Sequence, residues 1–268
     1  MIFRARETRR FQMTIRMKTL FLLIVLCTSV SVLAQPDIET TKAQAEAGDA
    51  TAQLLLGIMF GMGSGVVADE IEEAKWFRLA AEQGNAYAQS FLGTLYYIGR
   101  GVEQSYDNAL KWYCLAAAQG NAGAQSSLGL MYSKGEGVEQ SDTQALSWYG
   151  LAAEQGDSTA QYHLAENFRS GIAVGQNDQE AVKWYRLAAR QGNALAQLNL
   201  GLIYFYGKGV VQSKSTAYMW FAVAEAQGES LGSEGTDFIH YQISIKSRER
   251  AQAQATRCLE SKYQDCVE

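Results

Sequence analysis

Apolar, small and polar residues recur at one fixed interval along most of this chain. All five tryptophans, Trp76, Trp112, Trp148, Trp184 and Trp220, stand 36 residues apart. Gly48, Gly84, Gly120, Gly156, Gly192 and Gly228 keep the same interval. A strict period of this size marks stacked supersecondary units, none of which buries its apolar face until a neighbour covers it. Such a stack offers a long surface rather than one closed pocket, which argues against an enzyme.

Counted from each glycine, the units run 48–83, 84–119, 120–155, 156–191 and 192–227. Each reads as two helices. Asp49, Asn85, Asn121, Asp157 and Asn193 follow the glycine and are good N-caps for the first helix. Ala88, Leu92 and Tyr96 then recur at helical spacing, with Ala124, Leu128 and Tyr132 as counterparts. Gly93, Gly129 and Gly201 sit beside them. A mid-helix glycine costs about 1 kcal/mol against alanine, so its repetition predicts that another helix approaches closely there.

The first helix should end at a G-x-G-V turn, as at Gly99-Gly101-Val102 and Gly207-Gly209-Val210. These glycines lack the Lys-Ser or Lys-Thr that a phosphate-cradling loop needs, so turn chemistry explains them. The second helix should open at Asp69, Ser105, Ser141, Asn177 and Ser213. Glu72, Gln144 and Glu180, three residues on, predict capping boxes in three units. Ala74, Trp76-Phe77, Ala80 and Ala81 mark its buried face, repeated as Ala109, Trp112-Tyr113, Ala116 and Ala117. The tryptophans are therefore expected in packing, not in a ligand cage.

The fourth unit departs from this pattern. Ala165 replaces the packing glycine, Ala173 replaces the second loop glycine, and Glu166 and Asn167 put polar groups where other units are apolar. Outside the repeats, residues 35–47 read as an N-terminal capping helix and 228–268 as a C-terminal cap and tail. Within that cap Gly232, Ser233, Glu234 and Gly235 read as a loose connection, and Ile245 to Leu259 as an amphipathic helix.

The motif A-x-x-x-L-G-x-x-Y-x-x-G-x-G-V followed by A-x-x-W-Y-x-x-A-A-x-x-G resembles the Sel-one-like repeat (SLR) family, relatives of tetratricopeptide repeats. Residues 120–156 carry nearly all of it: Ala124, Leu128, Gly129, Tyr132, Gly135, Gly137, Val138, Ala145, Trp148, Tyr149, Ala152, Ala153 and Gly156. The resemblance implies an all-α fold, a right-handed α-α superhelix (solenoid) of five 36-residue helix-turn-helix repeats with helical caps. It also implies a scaffold that binds other proteins and needs no cofactor. Some secreted, cysteine-rich relatives are weak β-lactamases or penicillin binders. This chain lacks their paired cysteines and any S-x-x-K, so that activity does not carry over.

Residues 1–34 read as a signal peptide. Arg4, Arg6, Arg9, Arg10, Arg16 and Lys18 precede an apolar run from Leu20 to Val32, with cleavage expected after Ala34. Translation could start at Met1, Met13 or Met17. An uncleaved anchor, or lipid attachment at Cys27, are the alternatives. Export to the periplasm or the extracellular space follows from the cleaved reading, with no membrane span left after signal removal.

Without that segment the chain keeps 17 basic and 27 acidic residues, a net charge of about −10. No basic patch remains for phosphates, so nucleic acid is not an expected partner. The remaining cysteines are Cys114, Cys258 and Cys266. An odd number in an exported chain allows one disulfide and one thiol, and Cys258–Cys266 is the expected pair. Pairing requires the last helix to end near Cys258 and the tail to fold back.

Function is sought where the units differ. His163 and His240 are the only histidines, and neither has a metal or catalytic spacing, so no metal or other cofactor is expected. First helices usually line the concave face of such a stack, and their variable positions carry aromatics. A partner-binding groove is expected to use Tyr87, Phe91, Tyr97, Tyr162, His163, Phe205 and Tyr206. The same rings could instead seal contacts between repeats. The expected partner is a protein or peptide of the cell envelope, bound by a monomer. Alternatives are a peptidoglycan-binding module and a cell-wall-directed hydrolase or β-lactamase-like protein.

Overall fold

A computed structural model describes residues 37–266, so the signal-peptide reading of 1–34 and Cys27 lie outside the described residues. Among those residues are thirteen helices and no strand. After α1 (Ile38–Glu46) come five pairs: α2 (Ala50–Met62) with α3 (Glu70–Glu82), α4 (Ala86–Ile98) with α5 (Tyr106–Ala118), α6 (Ala122–Lys134) with α7 (Asp142–Glu154), α8 (Ser158–Ser170) with α9 (Asp178–Ala189), and α10 (Ala194–Tyr206) with α11 (Lys214–Ala226). Two further helices, α12 (Ser230–His240) and α13 (Ile245–Glu260), follow. The fold is an all-α solenoid of five 36-residue repeats. It divides into two compact units, one up to Gln119 and one from Gly120.

The caps form where the polar residues predict them. The side chains of Asp49, Asn85, Asn121, Asp157 and Asn193 accept from backbone N–H groups three residues on, at 2.7 to 3.0 Å. Asp69, Ser105, Ser141, Asn177 and Ser213 cap the second helices in the same way. Each such cap contributes about 1 kcal/mol. The reciprocal half of the expected capping boxes is absent. The N-cap N–H groups of Asp69, Ser141 and Asn177 donate instead to Phe60, Tyr132 and Phe168 carbonyls, and those of Ser105 and Ser213 do the same to Tyr96 and Tyr204, all at 2.8 to 3.1 Å. These bonds tie each second helix to its own first helix. They leave the Glu72 carboxylate free to accept from Lys75 and from the Trp76 indole.

Glycine sets the distance between paired helices. A Cβ on Gly57, Gly93, Gly129 or Gly201 would stand only 2.5 to 2.8 Å from the ring of Phe77, Tyr113, Tyr149 or Phe221. The mid-helix glycine thus lets an aromatic twenty residues on lie flat against the first helix, and the burial of that ring offsets the poorer helix propensity. The tryptophans are graded rather than uniformly buried. Trp76 and Trp220 are inside, whereas Trp112, Trp148 and Trp184 are half-buried, and Lys111 and Lys183 lie over two of those rings.

A polar ladder runs through this apolar core. Gln53, Gln89, Gln161 and Gln197 are buried and donate to the carbonyls of Ala45, Ala81, Ala153 and Ala189 in the helix before, at 3.0 to 3.2 Å. Their amide oxygens, with that of Gln125, accept from Gln83, Gln119, Gln155, Gln191 and Gln227, the residues that end the second helices. One side chain therefore adds a second donor to a helix-end carbonyl that the following glycine N–H already reaches, and binds a second helix end as well.

Two expectations about packing change. Ser230–His240 is a helix rather than a loose connection. Its glycines serve approach: a Cβ on Gly232 would meet the Phe221 carbonyl oxygen at 2.7 Å, and one on Gly235 the Phe221 ring at 2.6 Å. The buried alanine column of the second helices (Ala109, Ala145, Ala181, Ala217) is occupied in the first repeat by Glu73, not by Ala74. Ala74 is also buried, one position further on.

Candidate functional site

The expected groove residues fall in both compact units and have unlike surroundings. In the first unit Tyr87, near the start of α4, is 49% exposed. Phe91, one turn on, stacks on Phe77 of α3 with ring centres 5.1 Å apart. Tyr97 lies 5.5 Å from the ring of Tyr106 at the start of α5. Phe91 and Tyr97 therefore pack between helices, and Tyr87 alone of the three presents a largely free ring.

In the second unit Tyr162 and His163 meet edge to face at 5.2 Å. His163 also stacks on Tyr149 at 4.7 Å, and Tyr162 lies 6.1 Å from Tyr185. Burial, then the charge of Glu166, pushes the Tyr162 phenol up to about 12. Both residues close the space between α7, α8 and α9. Phe205 on α10 packs edge to face on Phe238 of α12 at 5.4 Å and on its neighbour Tyr206 at 5.0 Å. Tyr206 is 63% exposed. The free apolar surface here is thus Tyr206 with Phe238 and Tyr241, the last two supplied by the cap. Sequence reasoning missed the cap's share, since the Gly232–Gly235 stretch concealed the helix that carries Phe238.

The polar substitutions of the fourth repeat form one cluster. Arg169 donates to Glu166 through Nη2 at 2.6 Å and to the Tyr185 hydroxyl through Nε at 3.2 Å. That hydroxyl donates in turn to Glu166. The bond to Glu166 holds the Arg169 guanidinium charged, and burial, followed by the Glu166 contact, raises the Tyr185 phenol. Each member is matched within the cluster, so it stabilises α8 against α9 and offers no unpaired acid or base.

Other chemistry is sparse. A shallow cavity of about 550 Å³ in the first unit is lined by Arg78, Tyr96, Gln104, Ser105 and Asn108 among others. Arg78 donates to the Tyr96 hydroxyl at 2.8 Å, and Ser105 is committed to capping α5. Among the described residues no group of His, Cys, Asp and Glu could hold a metal ion. No helix of the described residues is long and apolar enough to cross a membrane. Cys258 and Cys266 form a disulfide with Cα atoms 4.5 Å apart, and Cys114 is an exposed thiol.

The Sel1 repeat family model matches five consecutive stretches, 50–85, 86–121, 122–157, 158–193 and 194–229. The chain belongs to the Sel1 repeat family. Sel1 repeats commonly mediate protein–protein interaction, and proteins of this fold are generally non-catalytic scaffolds. The chain is similar to a Sel1 repeat protein from Oxalobacter formigenes, with 33% identity and a TM-score of 0.69, over 75% of this chain and 58% of that one. It is also similar to a protective antigen of uropathogenic Escherichia coli with an SLR fold, at 29% identity and a TM-score of 0.57, over 87% of this chain and 56% of that one. This Sel1 repeat chain therefore spans a little over half the length of both. A Sel1 repeat protein from Klebsiella pneumoniae, at 22% identity and a TM-score of 0.52 over 76% of this chain and 99% of that one, shares the fold. Comparison with curated proteins gives no match.

Proposed function

We propose that the chain is an exported, non-catalytic scaffold that captures a protein or peptide partner in the cell envelope through exposed aromatics of its first helices. The observation that carries this reading is the contrast within the variable columns. Most of their rings are spent on packing, yet Tyr87 and Tyr206 stand 49% and 63% exposed on rigid helices. Exposed tyrosines supply large contact area for little conformational entropy, which suits them as anchors. The Arg-rich start and apolar run of residues 1–34 support export with cleavage after Ala34.

The test is crosslinking pull-down from the cell envelope with the Tyr87→Ala/Tyr206→Ala double variant. Capture of the wild-type partner should fall about tenfold or more, since truncating two anchors removes at least 1 kcal/mol each. Undiminished capture by a folded double variant would count against these two anchors. N-terminal sequencing of the mature protein should begin at Gln35, and an intact Arg-rich start would overturn the export route.

A further inference from the structure

The first repeat carries a feature that the other four lack. Glu73 is wholly buried, in a column that holds alanine in every other repeat. Space for its carboxylate exists only because residue 61 is glycine. A Cβ there would overlap Oε1, well inside ordinary contact distance, and the equivalent residues Tyr97, Ser133, Arg169 and Phe205 all have side chains. The partner is Arg100, whose counterparts in the later repeats are Glu136, Ile172 and Lys208. Three substitutions in three different columns therefore occur together, and the three residues meet in space.

The contact crosses from one repeat to the next. Arg100 stands in the Gly-rich turn after α4, in the second repeat. Its Nη2 lies 2.9 Å from Oε2 of Glu73 and donates to the Gly61 carbonyl at 3.0 Å, while its Nε lies 3.5 Å from Glu70. The next residue, Gly101, has its Cα pressed against the Glu70 carbonyl. The turn of the second repeat is thus fastened onto α3 of the first. The fastening is an ion pair rather than a well-made hydrogen bond, because neither Glu73 oxygen has a correctly aimed donor. The charged groups facing Glu73 are Arg100 from the turn and Glu70 from its own helix, with the Gly61 carbonyl from the end of α2. Burial outweighs the attraction of Arg100, so the carboxyl is pushed up to about 7.

We propose that Glu73, Arg100 and Gly61 form a proton-operated latch that holds the turn of the second repeat against the first repeat and releases it on acidification. The physical sign follows from linkage. Arg100 in place lowers the proton affinity of Glu73, so a proton on Glu73 weakens the hold on Arg100 by the same factor. Once Glu73 is neutral, Arg100 is a nearly buried cation with only Glu70 at 3.5 Å opposing its charge, and solvation favours its departure. The carboxyl itself stays under α2, because the helix packing that buries it does not depend on the turn.

The test is amide hydrogen exchange by mass spectrometry on the full chain from pH 8 to pH 6, corrected for the intrinsic pH dependence of exchange. The internal control is the turn at 207–212, which has Lys208 and Ala217 in the two columns. Protection of 99–104 should fall roughly fivefold or more across that range while 207–212 stays constant. Glu73→Ala, which installs the residue of the other repeats, and the isosteric Glu73→Gln should both leave 99–104 weakly protected at pH 8 and insensitive to pH. Parallel behaviour of the two turns in the wild type would overturn the latch. So would a pH response that survives in either variant.

Discussion

At the scale of single residues, the departures from the repeat pattern are where stability can be moved. Ala173 adopts φ 60° in a turn where Gly101 and Gly209 adopt 64° and 70°. A left-handed conformation costs an alanine about 1 kcal/mol more than a glycine, and the Ala173 side chain is exposed. Ala173→Gly should therefore stabilise the second unit by about 1 kcal/mol, read as a higher urea midpoint at unchanged slope; an unchanged or lower midpoint would refute the strain. Glu73 gives a second case with a definite sign. Its folded value near 7 lies above the unfolded value of 4.5, so the stability it contributes is fully present below about pH 4.5 and is lost as pH rises through 7. The full swing is about 3 kcal/mol for this group, and Glu73→Gln should flatten that part of the pH–stability curve. Acid thus strengthens the first unit against unfolding while it releases the turn at Arg100, and the two effects separate by probe. Ala173 was legible as a broken glycine pattern. Glu73 was not, because Ala74 beside it is also buried and reads as the column in its place.

At the scale of helices, the caps and glycines were legible because each answers a local need: an orphan N–H, a positive φ, a close ring. The glutamine ladder was hidden, since a glutamine on an otherwise apolar stripe reads from sequence as a surface position. Only the packed helices reveal that Gln161 lies between the Ala153 carbonyl and the Gln191 amide. Gln161→Leu fits the same volume but removes one of the two donors to the Ala153 carbonyl and the acceptor of the Gln191 amide, which should cost about 1 to 2 kcal/mol. Gln176→Leu in the exposed turn should change stability by less than about 0.5 kcal/mol. Equal effects of the two substitutions on the urea midpoint would show that the ladder is incidental. The same logic explains the error over α12. Gly232 and Gly235 look like flexibility in sequence, but they are the positions at which that helix presses on Phe221. The groove was half legible for a related reason. Aromatic identity does not distinguish a ring lying on a neighbour, as Phe91 and His163 do, from one facing solvent, as Tyr206 does.

At the scale of the whole molecule, a repeat stack is only as firm as its ends, because each repeat is held by its neighbours alone. The last repeat is covered by α12 and α13, and the tail beyond α13 turns back with Lys262 and Tyr263 both left-handed. That turn lays the Tyr263 ring over Gly192, in the connection between α9 of the fourth repeat and α10 of the fifth. The Cys258–Cys266 disulfide, eight residues apart, fixes the reversal, and both cysteines are buried in the terminal core. Closing a loop of this length removes about 2.5 kcal/mol of unfolded-state entropy. The loss in a Cys258→Ala/Cys266→Ala variant should not spread evenly. Fraying from the end should expose the amides of α13 and the 190–194 connection first, with α11 following and α6 and α7 unaffected. Exchange protection measured segment by segment reads that order directly. A uniform loss across 120–266 would mean that the second unit unfolds as one cooperative block, and no loss at 190–194 would mean that Tyr263 holds its place without the disulfide.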